Sequence, residues 1–244
     1  MPPATRFPAR YACPDAMPSE LLSIIAARHC KRAFLPRPVP RETLAAVLTT
    51  AAHAPSTRNS QLWQVAVLSG AARDALSRKL CDDHDNGVEP RLDYVPRPEN
   101  LPARYLERAA AASGGLLRLK GIARDDAAAR RAHLRENFLF YGAPVELIFH
   151  LPHDAAPGTF LELGFFAQNV MLGLLCCGLA SCPQASVAGY ADTIRKHLGF
   201  GPDRLIVCGM AVGYMDEGAP VNGYVPERAP LEDFTQWFDQ EPEG

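Results

Sequence analysis

Apolar positions along the 244-residue chain follow two periods, and the switches between them mark out the elements. Leu21, Leu22, Ile24 and Ile25 predict a short amphipathic helix from Ser19 that runs out at Arg28-His29-Cys30. Pro36, Pro38 and Pro40 exclude helix from the next segment, because each proline lacks an N–H and restricts its predecessor. Leu44, Val47, Leu48 and Ala51 then share one face of a helix over residues 42–53. Residues 63–68 read as a strand ending at Gly70, and helix resumes from Ala71 to Leu80. Residues 82–102 are polar, rich in proline, and read as loop. Two helices dense in Ala, Arg and Leu follow, at 104–121 and 124–137. A strand is expected at 144–151, a long buried helix at 160–178, a short helix at 191–198 stopped by Gly199, and the most strand-like run at 205–214.

Residues 1–18 read as an extended arm, and residues 19–238 as the folded domain. The tail from Asp216 to Pro230 is again rich in Pro and Gly. It ends in Leu231, Phe234, Trp237 and Phe238, an apolar set that predicts an arm docked on another surface, a second copy of the chain among the choices. Strands mix with long helices, so the class is α+β or α/β.

Composition narrows the function more by exclusion than by assignment. A net charge of −2 gives no electrostatic case for nucleic acid or an anionic membrane. The most apolar stretch, 160–180, contains Glu162, Gln168 and Asn169, which favours a buried helix over a membrane span. The N-terminus has no apolar core of signal-peptide length, so a cytoplasmic location is expected. The 7 cysteines are irregularly spaced without CxxC, which argues against a disulfide framework or structural zinc. Cys176 and Cys177 are expected to be small core residues. No GxGxxG, P-loop, HExxH or GxSxG occurs, and Ser56 and Ser186 lack an obvious His and acid partner.

The segment Pro55-Ser56-Thr57-Arg58-Asn59-Ser60-Gln61-Leu62-Trp63 is the most informative. It is rich in hydroxyl and amide groups between apolar elements, which suits either a polar ligand or a plain connector. Arg28, His29, Lys31 and Arg32 form a basic cluster, and Arg228 stands far along the chain. Arginines bind phosphate bidentately, although a solvated basic surface is the usual outcome for a cluster this small.

Taken together, Arg28-His29-Cys30-Lys31-Arg32-Ala33-Phe34, the 55–63 loop, residues 178–185 (GLASCPQA) and the tail from Ala219-Pro220-Val221-Asn222 to Arg228 occur in an order that resembles the FMN-dependent nitroreductase family. The resemblance spans roughly residues 20–238. Residues 121–124 and 137–145, with Cys182-Pro183-Gln184, are most similar to the nitrobenzoate reductase branch.

That resemblance implies an α+β fold with a mostly antiparallel central sheet flanked by helices. It also implies a homodimer with exchanged C-terminal arms (about 216–238), FMN at the interface, and lid helices within about 104–136. Arg28 and Arg228 would neutralise the FMN phosphate, with His29 and Cys30 beside it. Arg32 would sit near the flavin N1/O2 edge, where a cation favours the reduced ring. Pro55, Ser56, Thr57 and Asn59 would reach the flavin from the other subunit, and Pro183, Gln184 and Ala185 would place a backbone N–H at N5. The implied activity is ping-pong: NAD(P)H gives hydride to the flavin, and a nitroaromatic or quinone-like acceptor then takes it. Tyr105, Phe138, Phe140 and Tyr141 are candidate stacking residues, although aromatic residues in this pattern are commonly core. Arg124, or Arg130, would pair with a carboxylated acceptor unless it is simply an exposed helix arginine. Many family members have Ser at Cys30, Pro at Leu62 and a second basic residue near Val225-Pro226, so phosphate binding rests more heavily on Arg28 and Arg228. Ene reduction, dehalogenation or flavin fragmentation on the same scaffold, non-catalytic FMN binding, and a cofactor-free interaction protein are the competing readings.

Overall fold

A computed structural model describes residues 20–238; the expected N-terminal arm and Cys13 lie outside them. The order is α1 (Glu20–Ala27), α2 (Arg41–Ala51), β1 (Gln64–Ser69), α3 (Gly70–Asp85), α4 (Ala103–Leu119), α5 (Ala127–Arg135), β2 (Val145–Pro152), α6 (Pro157–Cys176), β3 (Ala180–Gln184), α7 (Ala185–Ala188), α8 (Ala191–Leu198) and β4 (Arg204–Gly213). The class is α+β. One four-stranded sheet runs in the order β1-β2-β4-β3 with every pair antiparallel.

Pairing explains why β2 is an almost unbroken apolar run. It lies between β1 and β4 with both faces covered, so alternation with polar residues is lost. Val145, Leu147, Phe149 and Leu151 pack with Met210 and Val212 against α2 and α6. Ile148 packs on the opposite face, with Ile206, Ala211 and Cys182, against α3, α7 and α8. Gly199 adopts φ 67° and ends α8, the left-handed cap for which glycine is suited.

Four local expectations change. The helix after β1 runs on to Asp85 and shortens the expected 82–102 loop, because Leu76, Leu80 and Cys81 remain on a core-facing stripe. Residues 180–184 form a strand that alternation alone does not reveal; pairing to β4 supplies it. The long apolar helix is covered on one stripe only. Glu162, Leu163, Phe166, Val170 and Leu174 are buried, whereas Leu161 and Phe165 are exposed. Cys176 and Cys177 are exposed rather than core, since they lie where α6 ends and its chain turns outward toward Gly178. This helix is long and apolar enough to cross a membrane, yet its buried stripe packs on α2 and the sheet.

Glu146 faces the side of the sheet opposite α6 and is 0% exposed. Gly209 makes the space, because a side chain there would strike the Glu146 carboxyl and stand 3.0 Å from Val187 Cγ1. The Met210 backbone lies beside the carboxyl, but neither oxygen completes a hydrogen bond. Burial drives the group well above its ordinary value of 4.5, so the fold keeps it protonated. As pH rises past the unfolded value the unfolded chain releases this proton and the fold does not. Each pH unit then removes about 1.4 kcal/mol from native stability until the folded value is reached. Glu146→Gln carries no such proton. Its stability relative to the native chain, read from urea midpoints, should climb as pH rises above the ordinary glutamate value of 4.5. A flat difference would show that Glu146 is not held neutral.

Candidate functional site

The basic segment after α1 is extended and clamped between β3, the 140–142 turn and the C-terminal tail. Lys31 N–H donates to Ser181 O (3.2 Å), Phe34 N–H to Tyr141 O (3.3 Å) and Asp216 N–H to Ala33 O (3.1 Å). Asn222 closes the clamp. Its Oδ1 accepts from the Arg32 N–H (2.7 Å) and the Ala33 N–H (3.2 Å), and its Nδ2 donates to Ala33 O (2.7 Å) and Asp216 O (2.9 Å). Lys31 Nζ donates to Asn222 O at 2.7 Å, so this lysine serves the clamp.

The clamp brings residues 28–32 and the tail at 224–228 together around a cavity of about 170 Å³. Arg28, His29, Cys30 and Arg32 line it from one side and Arg228 from the other, with Ser113 of α4 and Tyr224 completing the wall. The Tyr224 hydroxyl donates to Ala112 O (2.7 Å), and its ring occupies the space where a Gly115 side chain would stand. Three guanidinium groups around so small a volume form a donor set suited to a phosphate and poorly suited to an apolar ligand.

A hydrogen-bonded chain leads inward from this pocket. The Arg32 charge acts on the Tyr141 hydroxyl, which donates to Asn137 Oδ1 (2.7 Å). Gln184, 2% exposed, donates from Nε2 to Asn137 O (2.6 Å). Burial raises the Tyr141 phenol above its ordinary range, and the nearby Cys182 adds to this, so the phenol stays a donor. Phe140 and Tyr141 both have φ 53°, a conformation rare for bulky residues. Two α3 side chains hold that turn, Arg73 Nη2 on Leu139 O (2.6 Å) and Ser77 Oγ on Phe138 O (2.7 Å).

The 55–63 loop is also strained, with Arg58, Asn59 and Gln61 at φ 53°, 58° and 49°. Glu162 on α6 accepts from the Thr57 N–H (2.7 Å), and this bond holds its carboxyl below the usual range. Trp63 stacks on Phe166 at 5.1 Å and 6° and anchors the loop base. Residues 55 and 57–60 remain exposed, and no residue of this loop lines the cavity of its own chain.

A family model described as the nitroreductase family matches residues 25–214. The chain belongs to the nitroreductase family. It is 38% identical to nitroreductase NfnB of Mycolicibacterium smegmatis over 216 residues, covering 88% of this chain and 91% of that protein. It is 35% identical to a 4-nitrobenzoate reductase of Pseudomonas putida, again over 88% of this chain and 94% of the relative. A crystal structure of the FMN-dependent NfnB from Mycobacterium smegmatis in complex with NADPH superposes with a TM-score of 0.84, covering 88% of this chain and 96% of that one.

On this nitroreductase scaffold the remaining candidate residues disperse. Pro183 is exposed at the end of β3, and Ala185 opens α7 at the edge of a larger cavity of about 890 Å³. Phe138 lines that same cavity, packed between His84 and Tyr190 with both ring centroids at 5.1 Å. Phe140 is 0% exposed and belongs to the core, so a stacking role for it is corrected: its neighbours already cover the ring. Tyr105 is exposed on α4 with Arg104 and Arg108 over its ring, at 4.9 and 5.8 Å. Arg124 is exposed and its carbonyl accepts from Arg130 Nη1 (2.8 Å), which places both arginines in a surface turn. Neither Tyr105 nor Arg124 lines either of these cavities. Asn137, Asn222 and Tyr224 have structural roles that the sequence pattern did not assign. The only hint was a side-chain amide or phenol set in irregular chain next to basic residues.

Proposed function

We propose that this chain is an FMN-dependent oxidoreductase that takes hydride from NAD(P)H and passes it to a nitroaromatic acceptor, nitrobenzoates included. The observation that carries the reading is the meeting of Arg28, Arg32 and Arg228 at one small cavity in a member of this family. Arg28 and Arg228 would hold the FMN phosphate, with His29 and Cys30 beside it. Arg32, held through its backbone N–H by Asn222, would present positive charge to the flavin ring. FMN, when bound, supplies the ring that accepts and releases hydride. The chain's own contribution is position and field: Gln184 is fixed through Asn137, so the following backbone N–H groups are held in place. No side chain is assigned as a proton donor.

The working unit in this reading is a homodimer. Leu161 and Phe165 on α6, together with Phe234, Trp237 and Phe238 of the tail, are 60, 40, 69, 79 and 81% exposed in the single chain. A second copy would cover these side chains and receive the 55–63 loop at its flavin. The C-terminal arm from about 216 would cross to the partner, and the helices within about 104–136 would shield the acceptor. A reducing cytoplasm suits the thiols of the six described cysteines.

An anaerobic visible spectrum of the FMN-reconstituted protein tests the activity. NADPH or NADH should bleach the flavin bands, and 4-nitrobenzoate should restore them; sedimentation of the same sample should give twice the chain mass. A flavin that neither nucleotide bleaches would sink the reductase reading, and no bound flavin would sink the assignment of Arg28 and Arg228.

A further inference from the structure

Cys30 stands in the wall of the cationic cavity, and the buried Cys182 thiol is the neighbouring group that acts most strongly on its own thiol. The two chain segments are stitched together by the Lys31 N–H on Ser181 O, and Cys30 packs on the core cluster that contains Cys182. Arg28 and Arg32 are the charged groups acting on Cys30. Cys182 is 1% exposed, so one thiol of the pair opens to the pocket while the other is sealed behind it. The Cys182 thiol and the charges of Arg32 and Arg28 together lower the Cys30 pKa, with burial acting in the opposite direction. Cys182 is pushed the other way, by the neighbouring Cys30 and by burial. An accessible thiolate beside a protonated resolving thiol is the arrangement that redox-responsive pairs use.

We propose that Cys30 and Cys182 are a peroxide-responsive thiol pair whose reversible disulfide disables the cationic pocket. The Cys30 thiolate attacks one oxygen of hydrogen peroxide; an S–O bond forms, the O–O bond breaks, and the departing hydroxide takes up a proton as water. The Cys182 thiol then attacks the sulfenic sulfur. An S–S bond forms, the S–O bond breaks, and the hydroxide leaves with the Cys182 proton as a second water. The two thiols lose two electrons and the peroxide gains them. A disulfide tolerates only a narrow range of Cα separations and torsions, so forming it draws the Cys30 wall toward the core. Arg28 and Arg32 flank that wall at two residues on either side, and their convergence with Arg228 is lost. The consequence for flavin rests on the function proposed above; the disulfide itself does not.

The test treats full-length protein, FMN-loaded and FMN-stripped, with hydrogen peroxide and maps non-reduced peptides by mass. A linked Cys30–Cys182 peptide should form faster in stripped than in loaded protein. FMN affinity should then fall by about tenfold or more and recover with dithiothreitol. Cys182→Ser removes the resolving thiol, so peroxide should leave a dimedone-reactive sulfenic acid on Cys30. The exposed Cys176 and Cys177 serve as internal reporters of general oxidation. Peroxide that modifies those two while Cys30 and Cys182 stay free thiols would overturn the pair, and a linked peptide with unchanged FMN affinity would overturn its effect on the pocket. The FMN affinity of the reduced protein, measured first, tests the flavin reading separately.

Discussion

Alanine at both Arg28 and Arg228 will leave the protein unable to retain FMN through purification. A hydrogen bond to a charged group contributes about 1.5–3 kcal/mol. Two guanidinium groups on one phosphate then supply roughly 3–6 kcal/mol, which is about 10²- to 10⁴-fold in affinity. Each single variant should lose about 10- to 100-fold. The two losses will not add perfectly, because both side chains serve the same anion. Among the described residues neither arginine pairs with a carboxylate, so truncation leaves no carboxylate without its partner. The melting temperature of the flavin-free protein should therefore stay close to that of the native chain while the FMN titration shifts. Unchanged FMN affinity in the double variant would remove the phosphate from this pocket.

Asn222→Ala will do its damage differently, by loosening the fold around the site. Asn222 is 5% exposed and its side chain satisfies the Arg32 and Ala33 N–H groups and the Ala33 and Asp216 carbonyls. Alanine strands the Arg32 and Ala33 N–H groups in a part-buried region, whereas Ala33 O and Asp216 O keep the Asp216 and Ala219 N–H groups as donors. Each orphaned group costs about 1–3 kcal/mol, with partial relief where the tail can move and admit solvent. A net loss of about 3–5 kcal/mol is expected, at the severe end for a single substitution. FMN affinity should fall with it, because the same clamp holds Arg32 and leads the chain on to Arg228. Asn222→Asp keeps the acceptor and loses the two donated bonds, so it should fall between the two. Urea unfolding and FMN titration on all three proteins would measure both effects; an alanine variant as stable as the native chain would refute the clamp.

Much of this arrangement is visible in one dimension. The apolar periods of residues 42–53, 144–151, 191–198 and 205–214 correspond to α2, β2, α8 and β4 within a few positions. Backbone preference and side-chain period agree in those segments, so little is left for tertiary contacts to decide. Residues 180–184 are different. Ala180-Ser181-Cys182-Pro183-Gln184 has no alternation to reveal a strand, and it becomes one because β4 offers an unpaired edge. Phe138 and Phe140 show the same limit at the level of function. Two residues apart, one lines a cavity and the other is sealed in the core.

The sequence by itself determined most of the elements, the absence of a Rossmann or P-loop motif, and the residue types from which a family resemblance could be recognised. The family resemblance made Arg28 and Arg228 candidates for a phosphate, since so small a basic cluster by itself reads as solvated surface. Only the tertiary structure decided that they face the same 170 Å³ cavity, that Lys31 turns to a carbonyl, and that Asn222 and Asn137 hold the basic segment in place. The physical reason is range. Periodicity and propensity report on neighbours a few residues apart, whereas hydrogen bonds spanning nearly 200 positions are set by how the sheet, α4 and the tail close on one another.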